Sequence, residues 1–195
     1  THHIARLHDE GASRHGRAAP AGSRHVSRGV VIVGTFRFSM GHVALRNLAG
    51  HGVRLERSED WLARDVVMRD IGDIGFEEAD SPRGLALGMD IDGASWTAFQ
   101  FGSRGNRAIL CRGAHGRRCG IHSQAADTRF EACVASDCPE MGIAVEEASG
   151  QVVSDCLVLR CGTAQKIGMS GGILASNSDR AQVTHNTVSG GATQG

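Results

Sequence analysis

His42-Val-Ala-Leu-Arg-Asn47, Asp65-Val-Val-Met-Arg-Asp70 and Cys156-Leu-Val-Leu-Arg-Cys161 are three versions of one phrase, and their spacing decides the fold. Self-similarity at a period of about 20–50 residues marks a solenoid, in which each repeat stacks on its neighbours. Following the first residue of the phrase gives His42, Asp65, Gly88, Cys111, Cys133, Cys156 and Asn186, separated by 23, 23, 23, 22, 23 and 30 residues. The last step therefore carries an insertion, Gly162 to Gly171.

Two further landmarks keep the same phase. A small residue followed by an apolar one opens each repeat: Gly29-Val30, Gly52-Val53, Gly75-Phe76, Ala98-Phe99, Gly120-Ile121, Gly142-Ile143 and Gly172-Ile173. Between the two series lies a third apolar position, at Phe38, Trp61 or Leu62, Leu85, Ile109, Phe130, Val152 or Val153, and Val183. Each repeat thus holds three short apolar stretches that alternate with polar residues, which is the period of a pleated strand and not of a helix. The spacing predicts about seven coils of about 23 residues with like strands stacked in parallel, roughly 4.8 Å per coil.

The recurring Gly-Ile opening (Gly120-Ile121-His122-Ser123, Gly142-Ile143-Ala144-Val145, Gly172-Ile173-Leu174-Ala175) and the phrase Val183-Thr-His-Asn186-Thr-Val188 resemble the right-handed parallel β-helix proteins of the pectate-lyase-like class. The resemblance covers residues from about 29 to 191. It implies an all-β solenoid of three parallel sheets: PB1 from the Gly-Ile strands, PB2 before the Asn position and PB3 after it. It is nearly silent on reaction, because unrelated chemistries share such a scaffold.

Composition narrows the function classes. With 21 basic and 21 acidic residues, the net charge of zero gives no electrostatic case for nucleic acid or an anionic membrane as partner. The longest apolar runs are far shorter than a membrane-spanning helix needs. The 27 Gly suit a chain that turns three times per coil. Residues 1–28 break the period and read as an irregular leader or partial first coil, with 29–195 as the β-helix domain. The expectation at the ends is of a processed or truncated piece whose open coils are covered by missing coils or by another copy, because an uncapped solenoid exposes core and strand edges.

Cys111, Cys133 and Cys156 fall on one rung of successive coils, and Cys138 and Cys161 on another. Stacking explains the spacing, so these five of the six cysteines read as a buried ladder and not as part of a disulfide framework, and none has zinc-ligand spacing. Asn186, Asp65 and His42 read as polar members of the first rung.

A packed solenoid leaves only its outer face for chemistry. Strand alternation on PB1 predicts an outward column Val31, Arg54, Glu77, Gln100, His122, Ala144 and Leu174, and a second column Val33, Glu56, Ala79, Gly102, Gln124, Glu146 and Ser176. A sugar polymer presents hydroxyls and carboxylates at regular intervals that such a row can follow. The candidate catalytic residues are Arg54 to hold a carboxylate, His122 and Glu77 for proton transfer, and Lys166. The candidate binding residues are Glu56, Gln100, Gln124, Glu146 and Gln165. The resemblance implies that the inserted loop bearing Gln165 and Lys166 walls the groove. A solvated sheet face and a plain surface loop would explain the same residues.

Gly50-His51-Gly52 resembles the Gly-His-Gly of polygalacturonase-type hydrolases, but the Asp cluster expected on preceding coils is missing. The Arg and paired-Asp pattern of classical pectate lyases is missing too. Two functions stand at this point. One is a polysaccharide-active enzyme, lyase or epimerase before hydrolase, secreted or at the cell surface, with calcium as the one cofactor left open. The other is a non-catalytic β-helix adhesin, tail-fibre or carbohydrate-binding module. Outward PB3 positions, read as Ala44, Val67 and Ala135, look plain, which favours PB1 as the working face.

Overall fold

The computed structural model describes residues 29–164 and 170–191, so the leader expected over residues 1–28 and the candidates Gln165 and Lys166 lie outside the described residues. Among the described residues all regular structure is β-strand. Three sheets of seven strands each run up the molecule, and every pairing is parallel between one coil and the next. PB1 contains Val30–Val33, Val53–Glu56, Phe76–Ala79, Thr97–Phe101, Cys119–Ser123, Met141–Glu146 and Gly171–Ser176. From its first strand to its last the chain makes about six turns, against the seven coils read from the spacing.

The corners explain how such short strands turn. Left-handed residues recur at one position per coil between PB2 and PB3: His42, Asp65, Gly88, Leu110, Ala132, Asp155 and His185, all at φ between 50° and 59°. Asp and His are tolerated there better than most residues because short polar side chains ease this conformation. The series also corrects the sequence alignment. The step from Gly88 to Leu110 is 22 residues, so Cys111, Cys133, Cys156 and Asn186 sit one position beyond the corner. Arg112 pairs with Asp90 below and Val134 above, which places Cys111 over Met89 and Val66 and not over Gly88 and Asp65. Asn186 belongs to the cysteine rung: it accepts from Cys156 N at 2.8 Å and donates to Val153 O at 2.9 Å. His42 and Asp65 belong to the corner before it.

The core forms because one face of every strand is apolar. Val53, Leu55, Phe76, Phe99, Phe101, Ile121, Ile143 and Val145 point inward from PB1 and are buried. On PB2 the inward residues are Met40, Ala63, Ala86, Ala108, Phe130 and Val153, while Leu62, Leu85, Ile109 and Val152 face outward and are half-buried. Small residues stand on this wall because aromatic rings fill the volume beside it. Trp61, Phe76, Phe99, Phe101 and Phe130 form a chain of ring contacts with centroids 5.3–6.5 Å apart. Each such pair adds about 0.5–1.5 kcal/mol beyond its burial. A β-carbon on Gly84 would stand 1.8 Å from the Trp61 ring, so this coil needs glycine for close packing.

All six cysteines are buried free thiols, and the register stacks Cys111, Cys133 and Cys156 on one rung and Cys138 and Cys161 on another. Cys133 Sγ donates to Ala108 O at 3.3 Å and Cys156 Sγ to Phe130 O at 3.5 Å, each reaching back to the coil below.

Candidate functional site

Register fixes the outward column of PB1 as expected: Val31, Arg54, Glu77, Gln100, His122, Ala144 and Leu174 are consecutive partners. Glu56 lies between Val33 and Ala79 in the second column, Glu146 beside Ser176, and Gly102 and Gln124 are exposed. Along this face the polar residues divide into two groups, and the division was not visible in the sequence.

The lower group is only partly open: the Arg54 and Glu56 side chains reach solvent, Glu77 does so at 13% exposure, and His51 is buried. Arg54 donates from Nη1 to Glu77 Oε2 at 2.7 Å and from Nε to Glu56 Oε1 at 2.5 Å. His51 sits at the edge of the same strand with its ring between two carboxylates, Nδ1 at 3.5 Å from Glu77 and Nε2 at 3.6 Å from Asp73. Asp73, His51, Glu77, Arg54 and Glu56 therefore form one continuous network over the second and third coils. Sequence reasoning noticed the Gly50-His51-Gly52 turn but sought its carboxylates on preceding coils. The structure supplies them from the following coil, and the 23-residue step from Gly50 to Asp73 was the signal for that neighbour.

The upper group is covered. His122 is 2% exposed and its Nε2 lies 2.9 Å from Glu146 Oε2. Burial lowers the His122 pKa, with the Glu146 contact acting in the opposite direction. His122 keeps its expected place on the outward column but is buried there and not solvent-facing. Cys119, Met141 and Ala144 form a small apolar cluster on this part of the face, with Leu174 packed against it. Arg118 approaches the pair, its Nη2 at 3.8 Å from Glu146 Oε2, and its guanidinium stacks over the Trp96 ring at 5.5 Å.

Glu78, adjacent to Glu77, faces the core. Its Oε1 accepts from Gly102 N at 2.6 Å and Ser103 N at 2.5 Å, while Oε2 is buried without a hydrogen-bond partner. Burial pushes its pKa up to about 7. A pairing of Glu77 with Glu78 across one substrate is excluded by their opposite facing. Among the described residues no group of three or more His, Cys, Asp or Glu side chains is arranged to hold a metal ion.

PB3 is less plain than its sequence suggested. Ala135 is inward and fully buried, and its place on the outer column belongs to Val134. A chain of ion pairs climbs this side: Arg69 to Asp90, Asp90 to Arg112 at 2.8 Å, Arg112 to Asp92 at 3.2 Å and Asp92 to His115 at 2.7 Å. Its charges are mutually satisfied, and exposed pairs of this kind contribute about 0–1 kcal/mol each.

A family model described as a right handed beta helix region matches residues 28–195. The chain belongs to the right-handed β-helix family. A search of curated proteins found no match. For this β-helix protein, membership accounts for the coil, the three sheets and the outward column, while the reaction has to be argued from the side chains on that column.

Proposed function

We propose that this β-helix protein is a polysaccharide-active enzyme of the lyase or epimerase type, working over PB1 at its second and third coils. The carrying observation is the Asp73, His51, Glu77, Arg54 and Glu56 network on a face whose residues repeat once per coil. Elimination and epimerisation both begin with removal of the proton on the carbon that bears a uronate carboxylate. That step needs a base and a nearby cation to stabilise the charge developing on the carboxylate. Glu77 supports the role of base, with His51 passing the proton toward Asp73. Arg54 supports the role of carboxylate clamp, exchanging Glu56 for the substrate. Gln100 and Gln124 extend the same face with neutral hydrogen-bonding groups, and Glu146 with His122 braces its upper end. Hydrolysis fits less well, because it needs a protonated acid facing the substrate and the carboxyl that burial keeps protonated toward neutral pH, Glu78, faces the core.

The saturation of Arg54 by two carboxylates favours a second reading, a non-catalytic carbohydrate-binding surface. Incubation with uronate-containing and neutral glycans, followed by absorbance of unsaturated products, by reducing ends and by NMR of the sugar stereocentres, separates the readings. Product from the wild type that disappears in Glu77→Gln supports the enzyme. Binding without product supports the surface, and neither binding nor product removes both.

A further inference from the structure

Trp96 stands out among the exposed large apolar side chains because it lies beside the proposed groove; its relative exposure is 44%. Backbone bonding places it on the edge of PB1 directly between two residues of the charged groups: Trp96 N donates to Asp73 O, and Arg118 N donates to Trp96 O. The direction of its side chain follows from three linked contacts. His122 Nε2 meets Glu146 Oε2 at 2.9 Å, Arg118 Nη2 stands 3.8 Å from the same oxygen, and the Arg118 guanidinium lies 5.5 Å from the centre of the Trp96 ring. Glu146 rises from the far end of its strand and Arg118 from the near edge. The Arg118 side chain therefore reaches along PB1 toward Glu146, and the Trp96 ring packs beside its guanidinium. One side of the ring is held by Arg118, which limits its rotamers, and a large part of the indole surface is open to solvent.

An indole fixed in this way offers a flat apolar surface next to polar groups, at the level of the fourth coil where the outward PB1 residue is the neutral Gln100. A pyranose ring has matching chemistry: a face of C–H bonds that packs on an aromatic ring, and hydroxyls at its rim that take hydrogen bonds from an amide. We infer that Trp96 is a stacking platform for one sugar ring of a bound oligosaccharide, with Gln100 as its hydrogen-bonding neighbour, on the side of the groove toward His122. The inference rests on the proposed function and adds to it a residue that sets affinity without taking part in proton transfer. Trp61, the other tryptophan, is buried in the core, so a fluorescence change on binding reports Trp96.

The test titrates the full chain with hexamers of galacturonate, mannuronate and glucose, reading tryptophan fluorescence and calorimetric affinity for the wild type, W96A, W96F and R54A. The expected result is a fluorescence change with at least one hexamer, a loss of affinity of at least tenfold in W96A, and recovery to within a few-fold of wild type in W96F, which keeps an aromatic face. If a hexamer binds and R54A weakens it while W96A binds within twofold of wild type, the platform is overturned and the proposed function stands. If none of the hexamers binds the wild type, both are overturned.

Discussion

Glu78→Gln tests whether a carboxyl is stored in the core at a cost that depends on pH. Burial raises the Glu78 pKa from 4.5 to about 7, opposed by hydrogen bonds from Ser103 and Gly102. Between those values the folded protein holds a proton that the unfolded chain has released, so stability falls as pH rises through this window. It is highest below the unfolded pKa and the loss is complete a little above the folded one. Each tenfold change in affinity for the proton is about 1.4 kcal/mol, giving a ceiling of about 3 kcal/mol and about 2–3 kcal/mol between pH 5 and 8. Gln cannot ionise and keeps an oxygen for Gly102 N and Ser103 N, so the variant should lack this component of the pH profile. Urea unfolding of both proteins at pH 5 and pH 8 supplies the comparison, and other titrating groups cancel in the difference. Relative to Glu78→Gln, the wild type should lose about 2–3 kcal/mol on going to pH 8. Parallel profiles, agreeing within about 0.5 kcal/mol, would refute the claim that burial controls this group.

Other consequences follow from packing. Gly84→Ala places a methyl group where the Trp61 ring stands, and because Trp61 is locked by its Nε1 bond to Ser81 O at 2.8 Å, the backbone has to shift. Overpacking of this kind costs about 1–3 kcal/mol and should lower the melting temperature by several degrees in a thermal scan. All six thiols are buried and free, so a thiol reagent should titrate none of them quickly in the native protein and all six after denaturation. Rapid reaction of Cys133 or Cys156 in the folded state would contradict the ladder.

The architecture was legible because the repeat constrains the chain many times over. Gly120-Ile121 and Gly142-Ile143 set the phase of PB1, and alternation from there placed Arg54, Glu77, Gln100 and His122 on one column. The cysteine phrase misled by one residue, because Gly88 and Cys111 were aligned as equivalents when Leu110, a residue with no local preference for the left-handed corner, occupies the turn. Composition cannot reveal a corner filled by an ordinary side chain. Burial on the outer face was equally hidden: His122 alternates outward as Glu77 does, but its ring meets Glu146, 24 residues later, and strand periodicity carries no information about that contact. The carboxylates beside His51, Asp73 and Glu77, come from the coil that follows it, a neighbour that only stacking supplies.

In the proposed function, proton transfer belongs to Glu77, with His51 beside it, and not to the pair at His122 and Glu146. Turnover of a uronate polymer by His51→Ala, Glu77→Gln and His122→Gln, measured side by side with the wild type, tests it most directly. Losses of about a hundredfold or more are expected in the first two, the size expected for removing a general base, with His122→Gln within about tenfold of wild type. Wild-type turnover in both His51→Ala and Glu77→Gln, with a collapse in His122→Gln, would contradict it.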